Sequence, residues 1–158
     1  MRELILLRHA HAESAGYGQH DLDRALSRQG LAEAEAAGYW LKSHGLLPDR
    51  VLCSHARRTR ETLEQVLQVT GFVEQRQEPR IYEATPGTLM DVADEHRECG
   101  RLMLVGHNPG LEQLVALLSS GQSGDFRGMP AAGLVVLHIP ADADFEPGIA
   151  RLEHFWWP

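Results

Sequence analysis

The sequence predicts an α/β fold: a three-layer α/β/α sandwich around a mostly parallel sheet. Three observations predict it. Short apolar runs of strand length alternate with longer segments whose apolar residues recur at three- and four-residue spacing. Glu3–Leu7 and Leu102–Gly106 read as buried strands, which suits a sheet covered on both faces. Capping residues and glycines mark where the helical segments start and stop.

Glu3–Leu7 is the first strand, and it delivers Arg8 and His9 at its end. Ala10–Arg24 is poor in apolar residues and contains Gly16 and Gly18, so it reads as a loop. Ser27 is the N-cap of a helix on which Leu31, Ala34, Gly38 and Leu41 share a face, and Gly45 closes it. Arg50–Cys53 is a second strand, with Ser54 at its end. A helix begins near Ala56, with Leu63, Val66, Leu67 and Thr70 on its inner face. Arg80–Tyr82 is either a short edge strand or an extended turn. Thr85 caps a helix that carries Pro86 in its first turn, runs to about Glu98 and stops at Gly100.

Leu102–Gly106 ends at His107. Asn108 and Pro109 are the expected N-cap and first residue of a helix with Leu111, Leu114, Val115 and Leu118 on one face. Gly121–Gly128 reads as a surface loop. Gly133–Ile139 and Ile149–Trp157 are the remaining strands, the latter with Leu152, His154 and Trp156 alternating. No internal repeat or low-complexity linker divides the chain, so its 158 residues predict a single domain, 1–158.

Bulk properties exclude several classes. Apolar residues make up 43% and charged residues 23%, values of a soluble globular protein. The net charge of -7 argues against nucleic-acid binding. Cys53 and Cys99 form no CxxC motif or disulfide framework. No apolar run approaches a membrane span or a signal segment. The expectation is a cytoplasmic protein without membrane or nucleic-acid partners.

Three strand ends deliver polar groups in succession: Arg8 and His9, then Ser54 with Arg57 and Arg58, then His107. Ligands of open α/β sheets bind outside the carboxyl ends of the strands, so these groups are expected to share one pocket. Arginine forks match phosphate oxygens and keep their charge. A neutral imidazole can act as nucleophile toward phosphorus, splitting one displacement into two. Neighbouring cations disfavour imidazolium and keep His9 neutral. Its second ring nitrogen is then expected to donate to a backbone carbonyl, fixing the reactive tautomer. A hydrolytic metal site would want further histidines and carboxylates at strand ends, and Asp91, Asp94 and Glu95 lie on a predicted helix instead. No metal or cofactor is therefore expected, and His11 is assigned to the pocket rim. His20, His44, His55, His96, His138 and His154 have no partner pattern.

"LLRHAHAE" resembles the R-H-G/A signature of the histidine phosphatase (phosphoglycerate mutase-like) superfamily. "CSHARRTRET" resembles its S-P-x-x-R-x-x-x-T block, with His55 in place of the usual proline, and "LVGHNPGL" resembles its late G-H block. The short length and local forms are most similar to the SixA-type phosphohistidine phosphatases. The resemblance implies a phosphoglycerate mutase-like fold and phosphatase activity without a metal. It makes His9 the nucleophile, Arg8 and Arg58 the phosphate-binding arginines, and His107 the second histidine at the phosphoryl group. Thr62 supports that register. Arg24, in "HDLDRALSRQG", matches a further SixA-type phosphate arginine, and Glu83, in "IYEAT", is the nearest match to the acidic proton donor of larger members.

The resemblance implies a phosphorylated partner. It is a phosphohistidine-bearing protein, such as a histidine phosphotransfer protein, or a small phosphorylated substrate. The chain lacks the long insertions that cap the pocket in larger relatives, and an open site favours the protein substrate. A small-molecule phosphomonoesterase is the nearest alternative within the enzyme class, and a mutase would need a lid to exclude water. A non-catalytic phosphate-binding module is the alternative outside it, though such a module has no need of two histidines.

Overall fold

The structure, a computed structural model, describes residues 2–158. Six strands form one sheet, in the order β3-β2-β4-β1-β5-β6. They are β1 (Arg2–Arg8), β2 (Arg50–Cys53), β3 (Glu74–Gln77), β4 (Arg101–Gly106), β5 (Leu134–Ile139) and β6 (Arg151–Trp156). The helices are α1 (Arg28–Ser43), α2 (Arg57–Thr70), α3 (Pro86–Asp94) and α4 (Gly110–Ser120). β3, β2, β4 and β1 run parallel, β5 pairs antiparallel with β1, and β6 pairs antiparallel with β5 at the edge. The sheet is therefore mostly parallel, as the alternating pattern requires.

The strand period of two divides the core. Leu4 and Leu6 of β1 join Leu102 and Leu104 of β4 on one face, against Leu89, Val92, Leu111 and Leu114 of α3 and α4. Ile5 and Leu7 join Val51, Met103 and Val105 on the other, against Ala37, Leu41, Leu63 and Val66 of α1 and α2. These two clusters are the interfaces of a three-layer α/β/α sandwich. Ile5, Leu6 and Leu7 are completely buried, and each such side chain stabilises the fold by about 1.5–3 kcal/mol relative to exposure. Among the described residues, no helix is long and apolar enough to cross a membrane.

Several boundaries differ from the sequence reading. β3 carries the sequence Glu-Gln-Arg-Gln with every side chain exposed, so it has no apolar signal to find. It pairs in parallel with β2 through its backbone. Arg80–Tyr82 is neither strand nor extended turn: Pro79–Ile81 is a 3₁₀ turn whose Glu78 side chain accepts from the Arg80 N–H. α3 stops at Asp94, one turn short of Glu98, and the chain leaves it in successive turns before the bend at Gly100. α4 starts at Gly110, one residue later than the Asn108–Pro109 pair predicted. Asn108 still acts as a cap, its Oδ1 accepting from the Glu112 N–H at 3.3 Å. Ser27 and Thr85 cap α1 and α3 as expected, each accepting from the backbone N–H three residues on.

Candidate active site

The carboxyl ends of β1, β2 and β4 open on one side of the sheet, and the polar residues gather there. β1 passes directly into Arg8 and His9. The Arg8 N–H donates to the Gly133 carbonyl, the His9 N–H to Gly106, and the His9 carbonyl accepts from Ala132 N–H, at 3.0–3.1 Å. The backbone beneath the imidazole is thus fixed by neighbours on both sides. The next residue, Ala10, donates its N–H to Thr62 Oγ1 at 3.0 Å, and Thr62 Oγ1 donates to the Arg58 carbonyl at 2.7 Å. This buried hydroxyl joins the segment carrying His9 to the helix carrying Arg58.

His9 Nδ1 lies 2.7 Å from the Ala10 carbonyl oxygen. A carbonyl only accepts, so Nδ1 carries the proton and Nε2 the free lone pair. Burial, with the nearby Arg58, Arg8 and Arg24 charges, pushes the His9 pKa down to about 4. His9 is therefore a neutral imidazole of defined tautomer at pH 7.

His107 follows β4, its ring centroid 5.3 Å from that of His9. Its Nε2 lies 2.8 Å from the hydroxyl of Ser54, which is fully buried at the end of β2. Its Nδ1 is buried and bonds to no protein group among the described residues. Burial, with the His9 and Arg58 environment, pushes the His107 pKa down to about 3.

The guanidinium groups complete the surround. Arg58, on the first turn of α2, is only 6% exposed. Arg8 donates from Nη1 to the Met129 carbonyl at 2.8 Å, and burial lowers its pKa. Asn108 Nδ2 donates to the same carbonyl at 2.9 Å. The Nε groups of Arg8 and Arg58 are buried without a protein acceptor. An uncompensated buried donor is costly unless a partner arrives, and here the free donors are cationic.

Two residues were not legible beforehand as part of this cluster. Asp21, in the 3₁₀ turn Asp21–Asp23, accepts from Arg58 Nη2 at 3.0 Å, Arg24 Nη1 at 3.1 Å and Tyr82 Oη at 2.5 Å. These donors hold its carboxyl well below the usual carboxylate range. Asp21 in return raises the Tyr82 hydroxyl to about 12. The Tyr82 ring stands perpendicular to His107, at 5.5 Å between centroids. A cleft of about 380 Å³ opens between Asp21, Arg58, Tyr82, Glu83, His107 and Gln113.

The structure brings Arg8, His9, Arg58 and His107 together. Arg24 reaches the cluster through Asp21 and donates from Nε to the Glu13 carbonyl at 2.8 Å. Glu83 borders the cleft, exposed and with a left-handed backbone (φ 54°). Arg57 points away into a surface pair with Glu61. His11 is tied by Nδ1 to the Ser27 hydroxyl at 2.6 Å. Among the described residues, no group of three or more His, Cys, Asp or Glu side chains is arranged to hold a metal ion.

The chain is similar to proteins of one family. The family model described as the histidine phosphatase superfamily (branch 1) matches residues 4–101. Uncharacterized protein Rv1276c of Mycobacterium tuberculosis is 36% identical over 159 residues, covering 94% of this chain and 98% of its own. The crystal structure that carries the name phosphohistidine phosphatase SixA, from Agrobacterium tumefaciens, superposes with a TM-score of 0.87. It is 29% identical and covers 99% of this chain and 98% of its own. The mycobacterial glucosyl-3-phosphoglycerate phosphatase Rv2419c superposes with a TM-score of 0.75 at 20% identity, covering 97% of each chain. The last likeness is one of fold. The architecture matches the phosphoglycerate mutase-like fold of the SixA structures.

Proposed function

Since this chain belongs to the histidine phosphatase superfamily, whose members are phosphatases, we propose that it hydrolyses phosphohistidine on a protein by way of a phosphorylated His9. The observation that carries the reading is the His9 tautomer. Nδ1 is spent on the Ala10 carbonyl, and Nε2 is a free lone pair in cationic surroundings.

In the first step His9 Nε2 attacks phosphorus and the bond from phosphorus to the leaving atom breaks. Arg8 and Arg58 neutralise the charge on the phosphoryl oxygens, using the donors that face no protein acceptor. His107 contributes a further donor if its Nδ1 carries the proton, which requires the Ser54 hydroxyl to donate to Nε2. Arg24 adds positive charge at the same anion. In the second step water attacks the phosphorus of phospho-His9, releasing inorganic phosphate and restoring the imidazole. Glu83, at the cleft edge, relays the proton. The nitrogen of a phosphoramidate leaving group is itself basic, so the first step makes little demand on that acid. The reaction needs no metal ion, and turnover is expected to persist in EDTA.

Substrate choice follows from the site's openness and the SixA-named structure at 29% identity. A cleft bordered by an exposed Glu83 admits a side chain presented by another protein, such as a histidine phosphotransfer protein in the cytoplasm. The test has two parts. Purified protein given ³²P-labelled phosphohistidine protein and quenched in base should carry acid-labile label, lost in His9→Ala. Hydrolysis of phosphohistidine protein should exceed that of a panel of sugar phosphates in kcat/KM, and the reverse ranking would make it a small-molecule phosphomonoesterase.

A further inference from the structure

We propose that Asp21 is a positioning residue, which holds the Arg58 and Arg24 guanidinium groups in the orientation the anion needs, with Tyr82 as its anchor. The inference rests on the phosphatase reading for the identity of the anion, and on the hydrogen-bond geometry for everything else.

Asp21 takes hold of Arg58 twice. Its carboxylate accepts from Nη2 at 3.0 Å and its backbone carbonyl from Nη1 at 2.8 Å. Two acceptors on two different nitrogens fix the plane of a guanidinium, which one acceptor cannot do. Five N–H groups are available on arginine. Asp21 uses two of those on Arg58 and leaves the others, including the buried Nε–H, for a ligand. The other carboxylate oxygen accepts from Arg24 Nη1 at 3.1 Å. One carboxylate therefore spaces two guanidinium groups that approach from different segments.

Asp21 itself sits on a short 3₁₀ turn in a largely exposed stretch, and its own position needs support. Tyr82 Oη supplies it at 2.5 Å from the far wall of the cleft. The Tyr82 ring also packs against His107, so the turn is referenced to the same wall as the second histidine.

A carboxylate beside an anion site acts in two opposite ways. It repels the phosphate, and it orders the groups that bind it. The Asp21 side chain is 47% exposed, so water and salt screen the repulsion. Ordering a long side chain is not screened, because it removes rotamer freedom that substrate binding would otherwise have to remove. Ordering should dominate, and the two effects differ in sign.

The experiment is calorimetric titration of the intact protein with inorganic phosphate, for wild type, Asp21→Asn, Asp21→Ala and Tyr82→Phe. Positioning predicts that both Asp21 variants bind phosphate at least about tenfold more weakly, the loss expected for hydrogen bonds to a charged group. Tyr82→Phe should weaken it about threefold. In turnover, KM should rise in the same order while the acid limb of the pH profile, set by His9, stays in place. Unchanged or tighter phosphate binding in Asp21→Asn would overturn the proposal, because a carboxylate that merely competes with phosphate is removed by that change. Thermal melts check folding; should Asp21→Ala unfold, Asp21→Asn and Tyr82→Phe decide between the same outcomes. Phosphate binding is an equilibrium measurement, so it stands apart from phosphorylation of His9: absence of label on His9 would sink the phosphatase reading and leave this result to be judged separately.

Discussion

The two ends of the parallel strands use arginine in opposite ways. At the amino ends, Arg101 of β4 donates to Glu3 of β1 at 2.6 Å and to the Leu47 carbonyl at 3.0 Å. Arg50 of β2 pairs with Glu98 at 2.6 Å and Glu74 at 3.2 Å. Each of these two cations has a carboxylate partner, whereas Arg2, at the amino end of β1, donates to the Pro140 and Ala143 carbonyls. At the carboxyl ends, Arg58 and Arg24 share Asp21, and Arg8 donates to a backbone carbonyl. The first arrangement neutralises charge that is already present. The second leaves positive potential and free donors around an uncharged histidine, which suits an anion that arrives from outside. A single sheet therefore has a structural end and a chemical end, separated by the length of its strands.

Substitutions at the two ends should separate accordingly. Removing the imidazole, His9→Ala, is expected to lower turnover by roughly 10⁴-fold or more; steady-state kinetics with phosphohistidine protein measures it, and substantial residual activity would break the contrast. Arg58→Ala should cost about 10²–10³-fold in kcat/KM through lost charge stabilisation.

The pH profile sharpens the contrast without mutation. His9 must be unprotonated to attack, and its pKa is pushed down to about 4. The rate should hold from neutrality to about pH 5 and be lost as pH falls through about 4. A limb near the ordinary histidine value of about 6.5 would mean that the surrounding charge is weaker than the geometry indicates. Stability should move with it. Between about 6.5 and 4 the unfolded chain binds a proton that folded His9 refuses, and His107 behaves alike with its pKa near 3. The melting temperature should therefore fall as pH drops through that window. The smallest effect belongs to the structural end. Arg101→Gln should lower stability by about 1 kcal/mol, a shift in Tm of about 2–4 °C, with turnover unchanged within about twofold.

What was legible in advance follows from where water is. β1 and β4 are buried on both faces, so their apolar runs announce them, and with them the strand ends where His9 and His107 stand. The strand end at Ser54 pointed to Arg57 and Arg58 alike, and only the resemblance of Ser54, Arg58 and Thr62 to the superfamily's S-P-x-x-R-x-x-x-T block singled out Arg58. β3 was missed because it joins the sheet through its backbone and its side chains, all polar, face solvent. Asp21 was missed for a different reason. Its partners Arg58 and Tyr82 lie 37 and 61 residues away, and nothing local in Ala10–Arg24 distinguishes it from Asp23. The expectation for Arg80–Tyr82 failed with it, since the 3₁₀ turn at Pro79–Ile81 presents Tyr82 to the cleft.

Thr62 has a further consequence. Its hydroxyl meets Ala10, the residue after His9, while the Arg58 side chain stands one turn earlier on the same helix. The gap between His9 and Arg58 is thus gauged by a single helical pitch of about 5.4 Å. Such a gauge tolerates exchanges of side chain but not of count. One residue inserted between 58 and 62 would swing the guanidinium roughly 100° around the helix, away from the anion, with the hydrophobic layers on either side of the sheet left intact.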